Sequence, residues 1–127
     1  MKLGYSLPSN QGFEDPNDIV ILAEKAEKLG FNSVWTSEHL FHSSYIADRL
    51  DNLPYYEPLS ILCAVAMRTH KIRLGTTVIV LPWHDPPRLA KTVATLDLLN
   101  AVDHAKAIRL LLYRGEFYVF ASPQHTE

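Results

Sequence analysis

FNSVWTSEHL (residues 31–40) and IRLGTTVIVLP (residues 72–82) decide the fold. The first is an apolar run that breaks at Glu38-His39. The second opens on Arg73, passes Gly75 and the pair Thr76-Thr77, and runs through apolar residues to Pro82. Strands that stop at polar, titratable residues belong to the C-terminal rim of a parallel α/β sheet, where such folds bind ligands and do chemistry. The two rims are expected side by side.

Working outward, residues 3–7 are short and apolar before Pro8 and read as a first strand. Asp15-Pro16 pairs a cap with a first-turn proline and starts a helix. Ile19, Leu22, Ala23, Ala26 and Leu29 recur at helical spacing, Glu24, Lys25, Glu27 and Lys28 hold the other face, and Gly30 is a stop. Residues 31–36 form the second strand. A long loop follows over 41–55, of the kind that is often functional. A second helix is expected from Glu57-Pro58 to Arg68, a third strand over 72–81, and a third helix from Asp85-Pro86-Pro87 carrying Leu89, Ala90, Val93, Leu96 and Leu99. Alternating strands and crossover helices predict an α/β fold with a parallel sheet. Residues 101–113 read as helical, and 115–120 as a short strand or extended tail.

Composition narrows the function classes. The 127 residues suit one domain, and 47% apolar content is enough for a core. A net charge of −2 argues against a general nucleic-acid or anionic-membrane binder. Cys63 is the only cysteine, so no disulfide framework exists; it is expected to pack in a helix, and a reducing cytoplasm fits. The stretch MKLGYSLPSN lacks the apolar region of a signal peptide, and no apolar run approaches the roughly 20 residues of a membrane span.

Four pieces together resemble a known family: LGYSLP (3–8), LAEKAEKLGFNSVWTSEH (22–39), the whole of 57–100, and GEFYVF (115–120). They are similar to the luciferase-like monooxygenase superfamily, (β/α)8 TIM-barrel oxidoreductases that use FMN or coenzyme F420. SEH and LGTTVIVLP lean towards the F420-dependent branch, though FMN flavoproteins share much of the pattern. The family then continues with a glycine-arginine turn and a glycine-rich fourth strand, whereas here Asn100 runs into AVDHAKAIRLLLYRGEFYVF. The expectation is a chain both internally deleted and truncated. Residues 1–100 would be the N-terminal half of the barrel, with about three to four parallel strands. Residues 101–127 would be a helix plus a short extended tail from a later part of the pattern. A complete barrel needs about 250 residues, and an open half leaves a sheet edge at the third strand. A homo-oligomer is one remedy.

The resemblance implies a site. His39 would face the cofactor ring as proton donor or anchor, since its charge changes near working pH, and Glu38 would orient it or bond a cofactor hydroxyl. Thr77-Val78 would be a cis peptide supporting the back of the ring, with Val80 pointing to the same pocket and Ser6 and Pro8 at its floor. Trp83-His84 would form a rim or simply pack over the next helix, and His42 and Tyr45 a lid. Glu38-His39-x-x-His42 invites a metal reading, but the spacing matches no structural zinc pattern, so no metal is expected. No nucleophile elbow, P-loop or dinucleotide fingerprint is present. Two readings follow. One is a flavin- or F420-dependent oxidoreductase, transferring hydride or monooxygenating a small organic substrate. The other is a non-catalytic half-barrel that pairs with itself or another chain.

Overall fold

The computed structural model describes residues 1–41 and 44–100, and the strand pairing of 106–113 and 116–123. Three short strands lie in parallel: β1 (Gly4–Ser6), β2 (Ser33–Thr36) and β3 (Arg73–Thr76). Each is followed by a helix whose start is written locally. Asp15 Oδ1 accepts the Asn17 N–H and Pro16 opens α1 (Pro16–Lys28). The Glu57 carboxylate accepts from the N–H groups of Leu59 and Ser60 at 3.0 and 2.6 Å, and Pro58 opens α3 (Pro58–Arg68). A third helix, α4 (Pro86–Asn100), follows β3. Gly30 ends the α1 turn at φ +83°, a conformation in which a side chain would be strained.

The register sorts the residues into two faces. Tyr5, Val34 and Leu74 stand abreast and turn towards the helices. There Val34 and Leu74 join Ile19, Ala23, Leu62 and Val65 in one core. Burying each of the larger aliphatics contributes about 1.5–3 kcal/mol. α3 packs between α1 and α4 and lies over β2 and β3. Ser6, Trp35 and Gly75 stand abreast on the opposite face. In a closed barrel that face is the interior.

Several expectations are corrected. Leu29 is not on the buried stripe but caps α1 and is 78% exposed; Val20 takes its place inside. Glu27 is not a solvated charge. It accepts N–H groups from His70, Lys71 and Ile72, holding the entry to β3. The stretch 41–55 is not all loop: α2 (Ser44–Leu50) lies within it, because Ile46 and Leu50 at i, i+4 bury together. The third strand ends at Thr76 rather than 81; the chain turns there and forms a 3-10 turn over Leu81–Trp83.

The largest correction is at the C-terminal end. The helix expected over 101–113 is not formed across its last eight residues, which are strand β4 (Lys106–Tyr113). They pair antiparallel with β5 (Glu116–Pro123). Helical periodicity in this stretch is outweighed by a partner strand rich in aromatic and β-branched residues, Phe117, Tyr118, Val119 and Phe120, joined to it by only two residues. β5 also pairs antiparallel with β3, matching Leu74 to Ala121 and Gly75 to Phe120. The sheet order is β1-β2-β3-β5-β4. The edge of β3 is therefore covered by the hairpin, and among the described residues three strands are parallel.

Candidate functional site

The tips of β2 and β3 are neighbours. Thr36 pairs with Thr76, and the Thr77 N–H donates to the Thr36 carbonyl at 2.7 Å. The Thr77-Val78 peptide is cis.

Glu38 stands just past β2 and is buried. Its Oε2 accepts the Val80 N–H at 2.5 Å, and its Oε1 lies 2.6 Å from His84 Nε2. A carboxylate accepts, so Nε2 is the donor of that bond. Glu38 does not orient His39, as the sequence reading had it. It clasps the segment that leaves β3, because a buried carboxylate needs donors on both oxygens and Val80 and His84 are within reach.

His39 is half-buried among aromatic rings from three segments. Its ring centre lies 5.6 Å from Tyr55, 6.2 Å from Tyr45 and 6.4 Å from Trp83, and Tyr45 Oη is 3.4 Å from Nε2. Tyr55 is itself held by Ser37, at 2.9 Å between hydroxyl oxygens. Arg49 of α2 donates to the Asn10 carbonyl at 2.9 Å, which fixes the helix that presents Tyr45. His39 is thus the meeting point of the β2 tip, α2, the stretch before α3 and the turn after β3.

The Trp35 indole reaches across both neighbouring strands, over Gly4 and Gly75. A Cβ on Gly4 or on Gly75 would come within 2.7 Å of it, so both glycines are room left for one ring. Its Nε1 donates to Ser33 Oγ at 2.9 Å. Ser6 is exposed on the same face, one strand over; Thr77 is exposed and Val80 half-buried. Pro8 is half-buried beyond β1. Behind Trp83 and His84 a groove of about 600 Å3 runs between the starts of α3 and α4, past Cys63, Arg88 and Leu89. Burial pushes the Cys63 thiol up, and the nearby Glu57 charge adds to this.

Of the expected site residues, the structure brings His39, Trp83 and Tyr45 together, and joins Glu38 to Val80 and His84. His42 lies outside the described residues. Tyr55 was missed, although its place in Pro54-Tyr55-Tyr56 just before the α3 cap was a signal of a held aromatic. Among the described residues no three potential metal ligands lie together, and no helix is long and apolar enough to cross a membrane.

Comparison with known proteins adds the family. Residues 1–100 match the model of the luciferase-like monooxygenases. An F420-dependent glucose-6-phosphate dehydrogenase of Amycolatopsis mediterranei is 32% identical over 101 residues, 79% of this chain and 28% of that protein. The alkanal monooxygenase alpha chain of Photorhabdus laumondii is 32% identical over 120 residues, 94% of this chain and 31% of that one. The crystal structure of the monooxygenase RslO1 from Streptomyces bottropensis superposes with a TM-score of 0.63 at 32% identity, over 79% of this chain and 30% of its own. The chain therefore spans about three tenths of the length of these relatives.

Proposed function

We propose, since this chain belongs to the luciferase-like monooxygenase family, that the tips of β2 and β3 face the tricyclic ring of FMN or F420 in an oxidoreductase acting on a small organic substrate. When bound, such a ring supplies the redox chemistry, hydride transfer to substrate or reaction with oxygen, for which side chains have no equivalent. One observation carries the reading: His39 stands at the β2 tip with Trp83, from the turn after β3, beside it.

The residues present suit a heteroaromatic ring. It needs broad apolar surface and a few placed polar groups. Trp83, Tyr55 and Val80 supply the first; His39, the exposed Thr77 hydroxyl and the exposed Ser6 hydroxyl supply the second. Thr77 and Val78 would lie against the back of the ring. His39 would hold or deliver a proton at an imidazole nitrogen, and the Tyr45 hydroxyl, 3.4 Å from Nε2, is its nearest polar companion. Tyr45, Tyr55 and Trp83 stand around the imidazole. Relatives support the class: one is named an F420-dependent glucose-6-phosphate dehydrogenase, another an alkanal monooxygenase.

A second reading concerns assembly. The sheet face carrying Ser6, Trp35 and Gly75 bears exposed Gly4 and Ser6, and β4 is the last strand of the sheet. We propose that the chain forms a homo-oligomer in which copies cover these surfaces. Sedimentation as a folded monomer at all concentrations refutes it.

The functional reading is tested by titrating the purified protein with FMN and with F420 and following the ring absorbance. A saturable spectral change that His39→Ala weakens supports it. No change with either ring at millimolar protein overturns it.

A further inference from the structure

We infer that Glu38 is a positioning residue, acting through His84 to hold Trp83 against His39. The observation is a chain of contacts. Glu38 is buried, and its two oxygens engage the Val80 N–H and His84 Nε2, on either side of the turn Leu81–Trp83. That turn is closed by Trp83 N–H to the Val80 carbonyl and His84 N–H to the Leu81 carbonyl, both at 2.9 Å. Both ends of a three-residue turn are thus pinned to one carboxylate just past β2. Trp83 is the residue between the pins and His39, and its ring lies 6.4 Å from the imidazole. Trp83 is 43% exposed, so packing alone does not fix it. His39, one residue after Glu38, is reached from the other side by Tyr45 and Tyr55, neither of which touches the turn through a hydrogen bond.

The consequence is a division of labour between adjacent residues. His39 faces the ring, and Glu38 faces away and sets the distance at which the aromatic wall stands. This rests on the reading of His39 as the ring-facing residue, and its test works without any cofactor, so the two can fail separately.

The test uses fluorescence. A protonated imidazole close to an indole quenches its emission. In the unmodified protein, His39→Gln is expected to raise tryptophan emission in acid buffer, and Trp83→Phe is expected to abolish that rise. The same His39→Gln change is then made in His84→Phe, which keeps a ring at that position but removes the donor to Glu38 Oε1, and in Glu38→Gln, which keeps an acceptor for the Val80 N–H. The inference predicts that the His39-dependent rise is lost in His84→Phe and reduced in Glu38→Gln, with cooperative thermal unfolding retained. An undiminished rise in both backgrounds overturns it. So does a rise that survives Trp83→Phe, because the quenched indole is then Trp35.

Discussion

Gly75 and Trp35 occupy one space: a Cβ on Gly75 would stand 2.7 Å from the six-membered ring of the indole. The glycine of LGTT is there for the tryptophan of SVWT on the neighbouring strand, and the two motifs that carry the family resemblance are one packed unit. Gly75→Ala forces the ring to move, and overpacking of this kind costs about 1–3 kcal/mol. Chemical denaturation should show that loss. Trp35→Phe, combined with it, should recover part of the loss, a coupling readable as a double-mutant cycle.

Glu27 ties α1 to the entry of β3. Burial alone pushes its carboxyl up, but N–H groups from Lys71, His70 and Ile72, together with the His70 charge, outweigh this and hold it below the usual carboxylate range. A lowered native value means the stabilisation is complete above the ordinary glutamate range and lost as pH falls through the native value. Glu27→Ala should cost about 1–2 kcal/mol at neutral pH, discounted for partial exposure. The difference from the unmodified protein should shrink in acid. A pH-independent difference contradicts the assignment.

Cys63 should be a slow thiol. Burial raises it first and the Glu57 carboxylate second, so less thiolate is present at neutral pH than for a free cysteine. Alkylation of the folded protein should lag behind that of a model thiol and accelerate at higher pH. A rate equal to the free thiol contradicts this placement.

Ile46 reports on α2. It is fully buried in a helix of only seven residues, so truncation removes one of the two buried side chains that, with Arg49, hold that helix to the body. Ile46→Ala should destabilise by about 2–4 kcal/mol in equilibrium unfolding. It should also loosen Tyr45 from His39, visible as a change in the His39 proton resonances.

Much of this was legible in local patterns. Asp15-Pro16 and Glu57-Pro58 named their helix starts because caps act within three residues. His39 was legible as a residue at the end of the second strand and Trp83 as one in the stretch after the third. What escaped depended on partners distant in sequence. Glu38 was assigned to its neighbour His39, whereas it bonds Val80 and His84, more than 40 residues away. Glu27 read as solvent-facing because its acceptor role exists only once α1 meets the β3 entry. The strand over 106–113 was hidden by its helical spacing, since the ladder that decides it belongs to β5.

The most direct test of the ring-facing site is the proton NMR spectrum of the histidines during addition of FMN or F420. The account predicts ring-current shifts of the His39 imidazole protons, with His70, which precedes β3 at the opposite end of the strand, left in place. Shifts confined to other histidines, or none at His39 at saturating ring, contradict it.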